Sequence, residues 1–158
     1  MLQRDAMDAF LEAAAGRALD WGAWDCLLIP SDWAIVSGHS DLAGEWRGRY
    51  STALGAARIV SRHGGLQALS AMAAARAGLP MTSAPRLGDI GLMRTAAAPD
   101  VPPEVLRSLG LWVPAPLRGL SGAVCIGGGN WATSSGRGVA MFQRPEIVTA
   151  WRVEWLSR

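Results

Sequence analysis

Two kinds of apolar spacing divide this chain, and together they predict an α+β fold, with a helical part over residues 1–80 packed on an antiparallel sheet over residues 85–158. Before residue 80, apolar residues recur at three- and four-residue intervals and alanine is frequent. After Pro85 they come in short runs broken by glycine and proline. Helices followed by consecutive strands, without regular alternation of the two, are the pattern of an α+β domain. With 158 residues, half of them apolar, the chain is long enough for a single domain, 1–158, with its own core.

Residues 2–18 place Leu2, Ala6, Phe10 and Ala13 on one stripe, with Arg4, Asp8, Glu12 and Arg17 mostly opposite, and Gly16 begins the stop. Asp25 is the expected N-cap of a second helix running to Ser37, where Gly38 ends it. Pro30 has no N–H to offer the Cys26 carbonyl, so a kink is expected there. Trp46, Arg47 and Tyr50 fall in a short helix or turn. Ser51 then caps an alanine-rich helix to Arg62, closed by His63-Gly64-Gly65, and residues 66–77 form the next, closed by Gly78 and Pro80. Residues 90–93 read as a strand. Residues 95–119 hold five of the nine prolines and read as a long loop with one helical turn at 104–108. Strands are expected at 122–126, 130–133 and 139–142, with Gly127-Gly128-Gly129 as a turn, and a last strand at 147–155.

Composition narrows the function. All fifteen basic residues are arginine, scattered along the chain, and the net charge is only +2. Nucleic-acid binding needs a basic face, and none is visible. No apolar run approaches the roughly 18 residues of a membrane span, and the acidic start does not fit a signal peptide, so neither is expected. Cys26 and Cys125 are far apart and are expected as free thiols. No residue is assigned to a metal or a cofactor.

The run Trp21-Gly22-Ala23-Trp24-Asp25-Cys26 carries the chemistry. A cysteine at a helix start becomes a nucleophile when exposed N–H groups and the helix dipole stabilise its thiolate. It then needs a base. His39 would lie ~20 Å from Cys26 along a continuous helix and reads as a loop residue. His63, beside two glycines, reads as the C-terminal residue of its helix.

These features resemble the NlpC-type cell-wall peptidases, which have a papain-like fold. There the nucleophile follows an aspartate at a helix start, as in Asp25-Cys26, and the first strand opens with Gly-Asp, as in Gly88-Asp89-Ile90-Gly91-Leu92-Met93. The next strand opens with the catalytic histidine. The matching stretch here is Ser121-Gly122-Ala123-Val124-Cys125-Ile126-Gly127, which puts Ser121 at the histidine position. The run Ser37-Gly38-His39-Ser40-Asp41, the run Arg47-Gly48-Arg49-Tyr50 and the close Ala150-Trp151-Arg152-Val153 are similar to an uncharacterised branch found in tail proteins of bacteriophages and gene transfer agents.

The resemblance implies Cys26 as candidate nucleophile, Ser121 in place of the base, and Asp89 as either a turn cap or a weak catalytic candidate. It leaves three functions open. One is a structural docking component of a tail tip with a degenerate peptidase site, made in the bacterial host cytoplasm and carried in the virion, whose partners are other tail-tip proteins. Another is an active cysteine peptidase or amidase that cleaves peptidoglycan peptide stems during genome delivery. The third is a non-catalytic binder of peptidoglycan fragments that uses the same groove without chemistry. Ser121 is expected to begin a central strand facing the Cys26 helix, with residues 121, 123 and 125 on one side and the two side chains within about 8 Å. Trp24 and Trp131 are candidates for lining a glycan groove or for core. Residues 95–118 are too apolar for a bare linker, with Val101, Val105, Leu106, Leu109, Leu111 and Trp112, and Trp112 is the candidate docking anchor.

Overall fold

The computed structural model describes residues 2–95, 102–108 and 112–156. The helical spacing of the first half forms α1 (Gln3–Ala15), α2 (Ile29–Val36), α3 (Ala53–Arg62) and α4 (Leu66–Arg76). The short apolar runs form β1 (Ile90–Arg94), β2 (Leu120–Gly127), β3 (Asn130–Ser135), β4 (Gly138–Gln143) and β5 (Ile147–Trp151). Between β1 and β2 lie α5 (Pro103–Ser108) and a single 3-10 turn, Ala115–Leu117. The five strands form one antiparallel sheet in the order β4-β3-β2-β1-β5, so the fold is α+β.

Register decides which side chains meet the helices. Pairing Ile90 with Val124 and Trp151, and Leu92 with Gly122, puts these positions on one face. Ile90, Leu92, Val124 and Trp151 pack there with Met7, Ile29, Trp33 and Val60 in the main core. The alternate positions Met93, Ala123, Cys125 and Ala150 join Trp131 in a second cluster on the other face. Gly91 is a glycine because the Trp131 indole lies across it; a Cβ there would sit 3.1 Å from the ring. The Trp33 indole N–H donates to the Gly88 carbonyl at 2.7 Å and ties α2 to the entrance of β1.

Several expected boundaries move. The buried stripe of α1 is Ala6, Met7 and Ala14 with Phe10, whereas Leu2 is 73% exposed and Ala13 is exposed. Leu2 precedes the helix as its N-cap, which takes it out of the stripe. α2 begins at Ile29 rather than Asp25, so Pro30 falls in its first turn, where a missing N–H does no harm and no kink is needed. Thr52, not Ser51, caps α3, its Oγ1 accepting the Gly55 N–H at 3.0 Å. The last strand stops at Trp151, because beyond it the chain leaves the sheet to bond Asp89 and, through the Leu156 N–H, the Ser37 carbonyl. No helix among the described residues is long and apolar enough to cross a membrane.

Candidate functional site

Asp25 organises the site. Its carboxylate is fully buried and accepts four hydrogen bonds. Oδ1 takes the N–H groups of Leu27 (2.9 Å) and Leu28 (3.0 Å), and Oδ2 takes the Gly22 N–H (2.9 Å) and the Tyr50 hydroxyl (2.7 Å). Gly22 has a φ of +88°, and a Cβ on it would overlap the Tyr50 carbonyl oxygen. The tryptophan-rich run is therefore locked against residues 48–50, with the Gly48 N–H closing on the Gly22 carbonyl at 3.0 Å.

Cys26 sits in the turn that Asp25 caps. Its carbonyl, which Pro30 cannot bond, faces Gly122 of β2. A Cβ on Gly122 would overlap that oxygen and approach the Pro30 ring at 2.9 Å, so only glycine admits the turn this close to the sheet. Ser121 stands beside the Cys26 thiol, where its hydroxyl acts to lower the thiol pKa. The Ser121 and Thr133 hydroxyls are 3.0 Å apart, and Thr133 donates to the Gly122 carbonyl at 2.7 Å. Each hydroxyl has one proton, and Thr133 spends its own on that carbonyl. Ser121 also points its single proton at the Gly122 carbonyl, at 3.2 Å. The line Cys26–Ser121–Thr133–Gly122 ends on a backbone oxygen and contains no group basic enough to keep a proton at neutral pH.

Electrostatics agrees. Burial is the main force raising the Cys26 pKa from its ordinary 9.0 to about 11, and the Asp25 charge adds to it; hydrogen bonds from Ser121 and from its own N–H offset only part. Burial likewise raises the pKa of Tyr50, helped by the adjacent Asp25 charge. Cys125 is a free, buried thiol on the second cluster, also raised by burial.

Both histidines are engaged elsewhere. His39 Nε2 lies 2.7 Å from the Glu154 carbonyl oxygen, and His63 Nδ1 lies 2.8 Å from that of Ile59 with its ring edge-on to Trp46. Asp89 is no catalytic partner: Oδ2 accepts from the Arg86 N–H (2.9 Å) and Arg152 Nε (3.0 Å), and Oδ1 from the Val153 N–H (3.1 Å). It clasps the entrance of β1 to the chain after β5, because those two segments run side by side at the sheet edge. Trp24 and Trp131, at 1% and 2% exposure, are part of the core. Trp112 is half-buried, with the Arg107 guanidinium 4.6 Å above its ring. Val101, Leu109 and Leu111 of the same loop lie outside the described residues. The face expected for residues 123 and 125 is also reversed. Gly122 and Val124 point to the helices, and Ala123 and Cys125 away, yet Ser121 still reaches the thiol from the start of the strand.

Two further features lie near the turn. A cavity of about 80 Å³ lies behind the turn, its wall mostly apolar and including Leu27, Pro30, Trp46, Leu92 and Trp151. Beside it, Arg47 bridges Asp32 (2.8 Å) and Asp41 (2.9 and 3.1 Å), and Ser31 donates to Asp41 at 2.6 Å. Burial pushes Asp41 up, but the Arg47, Ser31 and Ala43 hydrogen bonds outweigh it and hold the carboxyl at about 2. Asp32 moves upward because burial outweighs its single ion pair with Arg47. Thr133, Tyr50 and Gly122 were not singled out as site residues from sequence. Tyr50 is the chain's single tyrosine and closes the Arg47-Gly48-Arg49-Tyr50 run, and neither feature points to its bond with Asp25.

The class defined by these elements is an α+β domain whose central strand carries a pair of hydroxyls beside a partly buried thiol. The chain belongs to the family described as a domain of unknown function, DUF6950, whose profile matches residues 2–153. No curated protein and no solved structure matches it.

Proposed function

We infer that this chain is a structural docking component of a phage or phage-like tail tip, built on an NlpC-type papain-like fold whose cysteine-peptidase site is degenerate. The observation that carries this reading is the line from Cys26 through Ser121 and Thr133. A nucleophilic cysteine needs a partner that takes its proton and returns it to the leaving amine. Two hydroxyls ending on a carbonyl supply neither step, and burial with Asp25 keeps the thiol protonated. The approach of a Ser-bearing strand to an Asp-Cys turn, after a Gly-Asp strand entrance, supports the papain-like assignment. The Trp112 loop offers surface for other tail-tip proteins, and residence in the virion tail goes with that role.

The test is direct. Purified protein incubated with peptidoglycan should release no new amine. Mass spectrometry of purified particles should find the chain in the tail, and Cys26→Ala should leave particle assembly unchanged. Amine release that vanishes in Cys26→Ala would reinstate the peptidase reading, and absence from particles would remove the docking role. Ser121→His is the complementary variant: an imidazole beside the thiol should make Cys26 alkylate at neutral pH, which wild type should not do.

A further inference from the structure

The sheet ends in a strand left open. β4 is paired on one side with β3, from Asn130↔Gln143 to Ser135↔Gly138, and its other side has no backbone partner among the described residues. The opposite edge is guarded: the Thr82 N–H bonds the Ala150 carbonyl at 2.9 Å, the Arg152 N–H bonds Pro80, and Met81 bridges Trp151. Edge strands are ordinarily interrupted by a charge, a proline or a bulge. β4 has six residues in unbroken register, Gly-Val-Ala-Met-Phe-Gln, with none of these, and it exposes Met141 (62%) and Phe142 (39%). Just beyond its two ends stand Arg137 and Arg144, both exposed, and neither is in an ion pair among the described residues.

Those arginines choose the occupant. A second copy pairing antiparallel about a two-fold axis would bring the Arg137 end of one strand to the Arg144 end of the other, twice over, with no carboxylate in residues 137–144 to offset the charge. A strand with carboxylates just beyond the two ends of the six-residue pairing would meet both arginines favourably. We propose that β4 accepts an extended segment of another protein by strand addition, a segment apolar at alternate positions and acidic at both ends. Main-chain hydrogen bonds along residues 139–143 supply the pairing, Met141 packs against the apolar side chains on its own face of the added strand, and the arginines set register. The proposal rests on the docking role inferred above, but its test needs no particle, so the two fail separately.

The probe is a labelled peptide of alternating valine and threonine with Asp-Glu at one end and Glu-Asp at the other, set against the same peptide with lysine ends. Anisotropy titrations should show the acidic peptide binding and the basic one not, with affinity falling as salt rises. The double variant R137E/R144E should weaken the acidic peptide by at least about tenfold and take up the basic one instead. Met141→Asp, which leaves both arginines, should also lose binding. Amide hydrogen exchange should slow within residues 139–143 on binding. Failure of the acidic peptide to bind, indifference to the arginine reversal, or protection elsewhere would overturn the proposal. So would a dimer in sedimentation that Met141→Asp dissolves, which would assign the edge to a second copy.

Discussion

The Cys26 thiol is kept protonated by the same contacts that place it. The N–H groups of Leu27 and Leu28, which would stabilise a thiolate at a helix start, are spent on Asp25, and the Asp25 charge stands beside the sulfur. A helix N-terminus activates a thiol only while its donors remain free. Alkylation by iodoacetamide should therefore follow a titration centred at about 11, not at the ordinary 9.0. At neutral pH the reactive fraction should be about a hundredfold below that of an unperturbed thiol. Asp25→Asn removes the charge but keeps the shape, and should move the alkylation midpoint down. It should also cost about 1–3 kcal/mol, since the single amide oxygen can serve only one of the two donor pairs that the carboxylate oxygens accept, and the NH2 would face the other. A midpoint at or below 9 in wild type would mean that an unrecognised cation faces the thiol.

At the scale of elements, Gly122 joins the helical layer to the sheet. Its missing side chain is what lets the Cys26 carbonyl and Pro30 rest on β2. Gly122→Ala should destabilise by roughly 2–3 kcal/mol, because both neighbours are held by backbone or ring and have little room to yield. Gly136→Ala, where nothing lies within 4 Å, should be nearly neutral in the same urea titrations. Equal effects would mean that the turn can shift away from the strand. Gly122 also shows what a sequence conceals. Alternation along β2 was readable and put 121, 123 and 125 on one side, but parity alone does not say which side meets the helices. The deciding residue has no side chain and so carries no hydropathy. Cap residues were readable as types but not as partners: Asp25 caps a turn ahead of α2, and Thr52 displaces its neighbour Ser51. The strands, the glycine stops and the helices followed from spacing that is local. Thr133 joined the site only through cross-strand register, a relation between residues far apart in the chain.

Across the whole molecule, partly buried ionisable groups make stability depend on pH in opposite senses at the two ends of the scale. At the acid end, Asp41 has its folded pKa lowered from 3.8 to about 2. Its contribution is present above pH 4 and is lost as pH falls through about 2, amounting to roughly 2 kcal/mol before solvent screening. Asp32 is raised, so its protonation favours the folded state on the way down and softens the first part of that loss. At the alkaline end, Cys26 is raised from 9.0 to about 11, and Tyr50 is raised as well. A group raised on folding contributes stability that is complete below its unfolded pKa and disappears as pH climbs through the folded one. Stability should thus hold up to about pH 9 and decline toward pH 11, with Cys26 responsible for roughly 2–3 kcal/mol of the loss. Cys26→Ala deletes that titration while leaving Tyr50 beside Asp25. Urea midpoints measured at pH 7, 9 and 10.5 should fall more steeply in wild type than in Cys26→Ala, even where the variant is the less stable protein at pH 7 for want of the buried sulfur. Parallel slopes would show that the thiol ionises as readily in the folded chain as in the unfolded one, and would remove the electrostatic case against a nucleophilic Cys26.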